Sequence, residues 1–288
     1  MKPLHKKYLH FLGGAIGIAG VIFVVGRLYK YADQINFNSF SAIDGLIFVL
    51  LGCLYGAANL LLAVAWQRVL AFLDIPVKTL WAIRVYGVSQ LAKYVPGNIF
   101  QFAGRQAIGM AAGISGTRLL KSTAYELVVL ILAGAFFGIL AIPLLWSAAS
   151  ELAVQLFFLA MIIAVGWGLG RYLSRHLACA WGLYSSFLAI SGVVFWATLW
   201  MVSPQNQMPV SAATVGGAYV LAWLFGLITP GAPAGIGVRE AVLLFFLADI
   251  FAPGDVVLAV VVGRMVTVTG DLLNFISASV LNCKRHEK

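Results

Sequence analysis

Apolar runs of membrane-spanning length recur along this sequence, at 8–28, 42–66, 122–145, 151–170, 183–202 and 255–281. A helix that crosses a bilayer needs about 20 mostly apolar residues. Backbone polar groups in hydrocarbon must be paired within the segment, so repeated runs of this kind dictate a helical bundle. Composition agrees. Apolar residues make up 62% of the chain and charged residues 10%, with a mean hydropathy of +0.96, whereas a soluble domain is about 25% charged. The expected fold class is an all-α polytopic membrane protein, with a single transmembrane domain over 1–288 and about six full spans.

Lys2, Lys6 and Lys7 precede the first apolar run, Tyr8 to Val25. A secretory signal peptide has the same order of parts but a shorter apolar core, followed by a small-residue cleavage site. This run is longer and no such site follows, so it reads as a retained first span. The cysteines, Cys53, Cys179 and Cys283, are odd in number and far apart, which argues against a disulfide framework or a metal site. The histidines (His5, His10, His176 and His286) lack metal-ligand spacing. No cofactor is expected.

The net charge of +9 would suggest nucleic acid in a soluble protein. Here the distribution of Lys and Arg across loops accounts for it, and no nucleic-acid partner is expected. The N-terminal lysines, Arg68 and Lys78, Arg118 and Lys121, Arg171 and Arg175, and the terminal Lys284, Arg285 and Lys288 all fall on one side of the implied topology. That side is the cytoplasm, which puts both termini inside. The 203–210 loop has no Lys or Arg and belongs outside.

Two further apolar stretches, 79–116 and 211–252, are each broken by a Pro-Gly pair. By span parity the first starts and ends inside and the second starts and ends outside. They are therefore hairpins of opposite orientation. Each arm is about 17 residues, or about 25 Å of helix, slightly short of a hydrocarbon core of about 30 Å. Re-entrant and tight full-span hairpins both fit. Lys93 and Asn98 favour the re-entrant form, because they flank the first turn and a full span would carry them to the outer face.

The two breaks share a pattern. Pro96-Gly97 is followed after seven residues by Arg105-Gln106, and Pro230-Gly231 after seven residues by Arg239-Glu240. Tyr86 and Tyr219 lie upstream at nearly equal distances. Proline removes a backbone donor and ends a helix; glycine permits the turn. Inverted repeats of broken helices are a recurrent transporter plan, with substrate bound at the repeat interface. Two kinks that merely aid packing would leave the same marks.

Arg105, Glu126, Arg239, Glu240, Arg264 and Asp271 fall at membrane depth. Each costs at least about 2.5 kcal/mol to place there, which makes it a candidate functional residue. Arg264, Thr267, Asp271 and Asn274 share one helical face, opposite Val262, Met265, Val266, Leu272 and Leu273. An ion pair of Arg264 with Asp271 or Glu240 would serve packing alone. Alternatively, Arg105, Arg239 and Arg264 form a cationic pocket. The Gly-rich break, with Gly235, ends at about Gly237, where a new helix would add the positive end of its dipole. Arginine forks suit phosphate, and inside a membrane the natural phosphate ligand is a lipid head group. Glu240, Glu126 and Asp271 would balance the charge.

Other apparent motifs carry little. Gly113-Ile114-Ser115-Gly116 matches the short pattern around an intramembrane serine nucleophile, but it lies at a hairpin end beside Arg118, with His176 as its only internal histidine candidate. Asp249 and Asp255 read as solvated caps, and Trp146, Trp196 and Trp200 as interface anchors or packing.

The stretch Gln90-Leu91-Ala92-Lys93-Tyr94-Val95-Pro96-Gly97-Asn98, continuing to Gly104-Arg105, resembles the first signature of the lysylphosphatidylglycerol synthase transmembrane family. Pro233-Ala234-Gly235-Ile236-Gly237-Val238-Arg239-Glu240 is similar to its second. The resemblance covers essentially the whole chain and implies a lipid flippase. Two-part members move aminoacylated phosphatidylglycerol; stand-alone members look like components of cell-envelope lipid or polysaccharide pathways. The sequence read to Lys288 includes no soluble aminoacyl-transferase domain, so synthase activity is not implied.

The expected function is transport of an anionic lipid (a phospholipid, an aminoacyl-phospholipid or a polyprenyl-phosphate-linked sugar) across a bacterial or archaeal cytoplasmic membrane, alongside envelope-biosynthesis proteins. A membrane transferase acting on a lipid-linked substrate would need a carboxylate base or metal at an aqueous loop, and these loops are short and poor in acids. A non-catalytic membrane subunit of an envelope complex is the third reading.

Overall fold

A computed structural model describes residues 41–95, 99–203, 209–229 and 237–281. The expected span at 8–28 lies outside the described residues, as do Pro96, Gly97, Asn98, Pro230, Gly231 and Gly235. The described chain is helical, with no strand among the described residues. In order, the helices are α1 (Ala42–Phe72), α2 (Thr79–Gln90), α3 (Phe100–Ala111), α4 (Gly116–Phe137), α5 (Ile142–Leu145), α6 (Glu151–Gly168), α7 (Arg175–Val202), α8 (Ala212–Ile228), α9 (Val238–Leu247) and α10 (Pro253–Val280). A 3-10 turn, Leu91–Tyr94, extends α2, and another, Gly138–Ala141, joins α4 to α5.

Among the described residues, five segments are long and apolar enough to cross a membrane: Ala42–Phe72, Gly116–Leu145, Glu151–Leu173, Arg175–Val202 and Pro253–Val280. The 31 residues of α1 reach about 46 Å. No side chain of α6 is buried, although it carries Leu152, Leu156, Phe157, Leu159 and Ile163, each more than half exposed. A helix that is apolar all round and leaves so broad a face uncovered by protein needs an apolar solvent.

The starts of these helices are set by polar residues rather than by the edges of the apolar runs. α1, α4, α6, α7 and α8 each begin immediately after a serine: Ser41, Ser115, Ser150, Ser174 and Ser211. At Ser41 the hydroxyl accepts from the Asp44 N–H, and the Asp44 carboxylate accepts from the Ser41 N–H at 2.8 Å. That reciprocal pair satisfies two otherwise orphaned donors. Hydropathy alone places α4 from 122 and α7 from 183. Both start earlier, at Gly116 and Arg175, because basic first turns are good helix but poor hydrocarbon solutes.

α1 packs most extensively on α7 and α10. Its crossing with α10 is close enough to require glycine on both helices. A Cβ on Gly56 would lie 2.9 Å from the Gly270 carbonyl oxygen, and one on Gly270 would lie 2.7 Å from that of Gly52. Small residues let backbones approach in this way, so that dispersion and polar contacts hold the helices together.

The two broken stretches form helix pairs, α2 packed on α3 and α8 packed on α9. The second arms are shorter than the 17 residues expected: 12 in α3 and 10 in α9. That is about 18 Å and about 15 Å, well below a hydrocarbon core of about 30 Å. α2 also packs on α10, and α8 on α7, so both pairs lie against the central helices.

Candidate functional site

At the end of α2 the 3-10 turn brings Lys93 and Tyr94 to face Asp271, in the middle of α10. Asp271 is fully buried. Its carboxylate accepts from Lys93 Nζ at 2.7 Å, from Asn59 Nδ2 at 3.0 Å and from the Tyr94 hydroxyl. Three donors, one of them cationic, offset the desolvation that an isolated buried carboxylate would suffer. Asn59 reaches Asp271 because the Gly56–Gly270 crossing holds α1 and α10 together one turn away.

A second pair joins α3 to α4. Arg105 Nη1 contacts both Glu126 oxygens, at 3.0 and 2.8 Å, and the Tyr86 hydroxyl donates to Glu126 Oε1 at 3.0 Å. Both charged side chains are under 5% exposed. The guanidinium carbon lies 4.3 Å from the Tyr86 ring centroid, 5.2 Å from that of Phe102 and 5.4 Å from that of Trp66. Arginine stacks well on aromatic faces, so Arg105 is enclosed by rings and closed by its carboxylate.

The third pair joins α9 to α10. Arg264 Nη2 lies 3.0 Å from Glu240 Oε1, while Glu240 Oε2 accepts the Gly237 N–H at 2.8 Å. Gly237 has φ +84, a conformation that strains any L side chain, and α9 starts on the next residue. The expected helix start at Gly237 is thus where α9 begins. Arg264 bonds Glu240 rather than Asp271. The two helix pairs are fastened alike, each by an ion pair from the second arm to the following long helix, but with reversed polarity: Arg105 to Glu126 in one, Glu240 to Arg264 in the other.

Between these pairs lies a cavity of about 100 Å³, lined by residues of α1, α2, α3, α4, α7, α8, α9 and α10. Lys93, Arg239 and Arg264 contribute cationic groups; Tyr55, Tyr86 and Tyr94 contribute rings and hydroxyls; Gln90, Gln101 and Thr267 contribute neutral polar groups. Of the expected site residues, Lys93, Glu126, Arg239 and Arg264 line the cavity, while Arg105, Glu240 and Asp271 stand behind it as ion-pair partners. Asn98 lies outside the described residues.

Arg239 differs from the other three cations. Among the described residues it is the one of the four that forms no ion pair, and its Nε is buried without a hydrogen-bond partner. Among the described residues, four cations thus share three carboxylates, and Arg239 is left over.

Sequence reasoning missed Asn59, Tyr94, Gln90 and Gln101. Gln90 and Tyr94 stand in the first signature stretch without a role assigned to them, and Asn59 is visible as an amide inside the long apolar run of α1. No protein-family model matches this chain, and no curated protein matches it.

Proposed function

We propose that this chain is a flippase, a transporter that carries an anionic lipid across a cell membrane. The observation that carries this reading is Arg239: a cationic side chain at a cavity, without a carboxylate, inside a bundle built for hydrocarbon. An uncompensated charge in such a place destabilises the protein by several kcal/mol. An anionic ligand relieves that cost, and a lipid phosphate is the anion that a membrane supplies. Arg239 offers a fork suited to phosphate oxygens.

The helix pairs α2–α3 and α8–α9 are re-entrant hairpins of opposite orientation in this reading. Their short second arms support it, because helices of about 15–18 Å do not cross the hydrocarbon core. Broken helices at membrane depth are tolerated where they line a cavity, and both second arms contribute to this one. The hairpins act as gates, and the ion pairs Arg105–Glu126 and Glu240–Arg264 are the catches that release them. In this reading the asymmetry of Lys and Arg favours both termini in the cytoplasm, and the motif resemblance favours a bacterial or archaeal cell. The two sequence motifs are the ground for reading the chain as a stand-alone relative of the lysylphosphatidylglycerol synthase transmembrane family.

The test is reconstitution. Purified full chain in liposomes, with tail-labelled phosphatidylglycerol in both leaflets, is treated with a membrane-impermeant quencher. Protein-dependent quenching beyond the outer-leaflet share is expected. Quenching equal to that of protein-free liposomes, for this lipid and for the others of its charge, would contradict the reading.

A further inference from the structure

We infer that the cavity selects lipids by net head-group charge: it takes a phosphodiester with a neutral hydroxyl-bearing substituent, and rejects zwitterionic and dianionic head groups. This rests on the transport reading above and specifies its substrate class.

The charge balance of the cluster carries the inference. Lys93, Arg105 and Arg264 are each closed by a carboxylate, at 2.7, 2.8 and 3.0 Å. Arg239 has none. Among the described residues the cluster therefore carries one uncompensated positive charge. In a low-dielectric interior the most stable complex is the neutral one, and a phosphodiester brings a single negative charge.

A zwitterionic head group would bring an ammonium as well, and every carboxylate is already engaged. Asp271 takes three donors. Both Glu126 oxygens face Arg105, and one also accepts from Tyr86. The two Glu240 oxygens are divided between Arg264 and the Gly237 N–H. The rings of Phe102, Phe187 and Trp223 line the cavity and could face a cation, but a cation–π contact does not replace a counter-ion beside Lys93, Arg239 and Arg264. A dianionic phosphomonoester would leave one negative charge over.

The rest of the lining fits a polyol. The amides of Gln90 and Gln101 and the hydroxyls of Thr267 and Tyr55 offer donors and acceptors without charge. A cavity of about 100 Å³ is several times the space of one water. It suits a phosphate with a small polyol and excludes an oligosaccharide.

The experiment compares lipids with identical labelled tails in proteoliposomes of the full chain. They are phosphatidylglycerol, phosphatidylethanolamine and, at alkaline pH where it is dianionic, phosphatidic acid. Phosphatidylglycerol is expected to move at least about tenfold faster than either of the others, a difference of about 1.4 kcal/mol. Glu240→Gln, which leaves Arg264 without its carboxylate, is expected to shift the preference toward phosphatidic acid. Equal rates for phosphatidylglycerol and phosphatidylethanolamine, both above protein-free liposomes, would overturn the selectivity and leave transport standing. No movement of any of the three would overturn the transport reading, and the selectivity with it. Should Glu240→Gln fail to fold, thermal stabilisation of the wild type by each lipid reads the same preference. A larger shift with phosphatidylglycerol is expected, and equal shifts would sink the inference.

Discussion

Arg105 and Arg239 each follow a proline by nine residues, yet their surroundings divide their roles. Arg105 sits among three rings with its carboxylate in place, which makes it a structural bolt. Removing one partner of such a buried pair strands the other charge and costs about 3–5 kcal/mol, whereas removing both is far milder. Arg105→Gln and Glu126→Gln are each expected to lower thermal stability in detergent markedly, and the double variant to recover most of the loss. Additive losses in the double variant would show that the pair is not coupled. The spacing of the two arginines is visible in the sequence, but their partners are not. Arg105 and Glu126 are 21 residues apart and Tyr94 and Asp271 are 177 apart, and no local pattern reports contacts at that range. The membrane-depth charges themselves were legible, because each violates the apolar pattern around it.

At the scale of elements, the Gly56–Gly270 crossing positions Asn59 against Asp271 and so supports one wall of the cavity. Gly270→Val would press a side chain into the backbone of α1, where a Cβ already comes within 2.8 Å of the Gly56 nitrogen. Overpacking of this kind costs about 1–3 kcal/mol or more. A lower unfolding temperature in detergent is expected, and an unchanged one would contradict the close crossing. Hydropathy located every long helix within the described residues but misplaced the starts of α4 and α7. The serines before them were the better signal: Ser174 closes its helix with a side-chain bond and Ser115 holds the N-cap position without one, whereas an apolar run marks only the part that lipid can solvate. The Pro-Gly breaks were legible as breaks. The short second arms were not legible from hydropathy alone.

At the scale of the whole molecule, an apolar exterior encloses a polar, cationic interior, as a transport reading requires. Its orientation can be tested in a cysteine-free background. Ala149→Cys, between α5 and α6, is expected to react with a membrane-impermeant maleimide in intact cells, and Lys78→Cys, before α2, only after lysis. The reverse pattern would invert the topology. The most direct test of the central claim is the transport rate of tail-labelled phosphatidylglycerol in proteoliposomes of wild type, Arg239→Gln and Arg239→Lys, with folding of each confirmed by its unfolding temperature. Transport lowered at least about tenfold in Arg239→Gln and partly restored in Arg239→Lys is the expected result. A rate in Arg239→Gln equal to that of wild type would mean that the uncompensated cation does not hold the lipid.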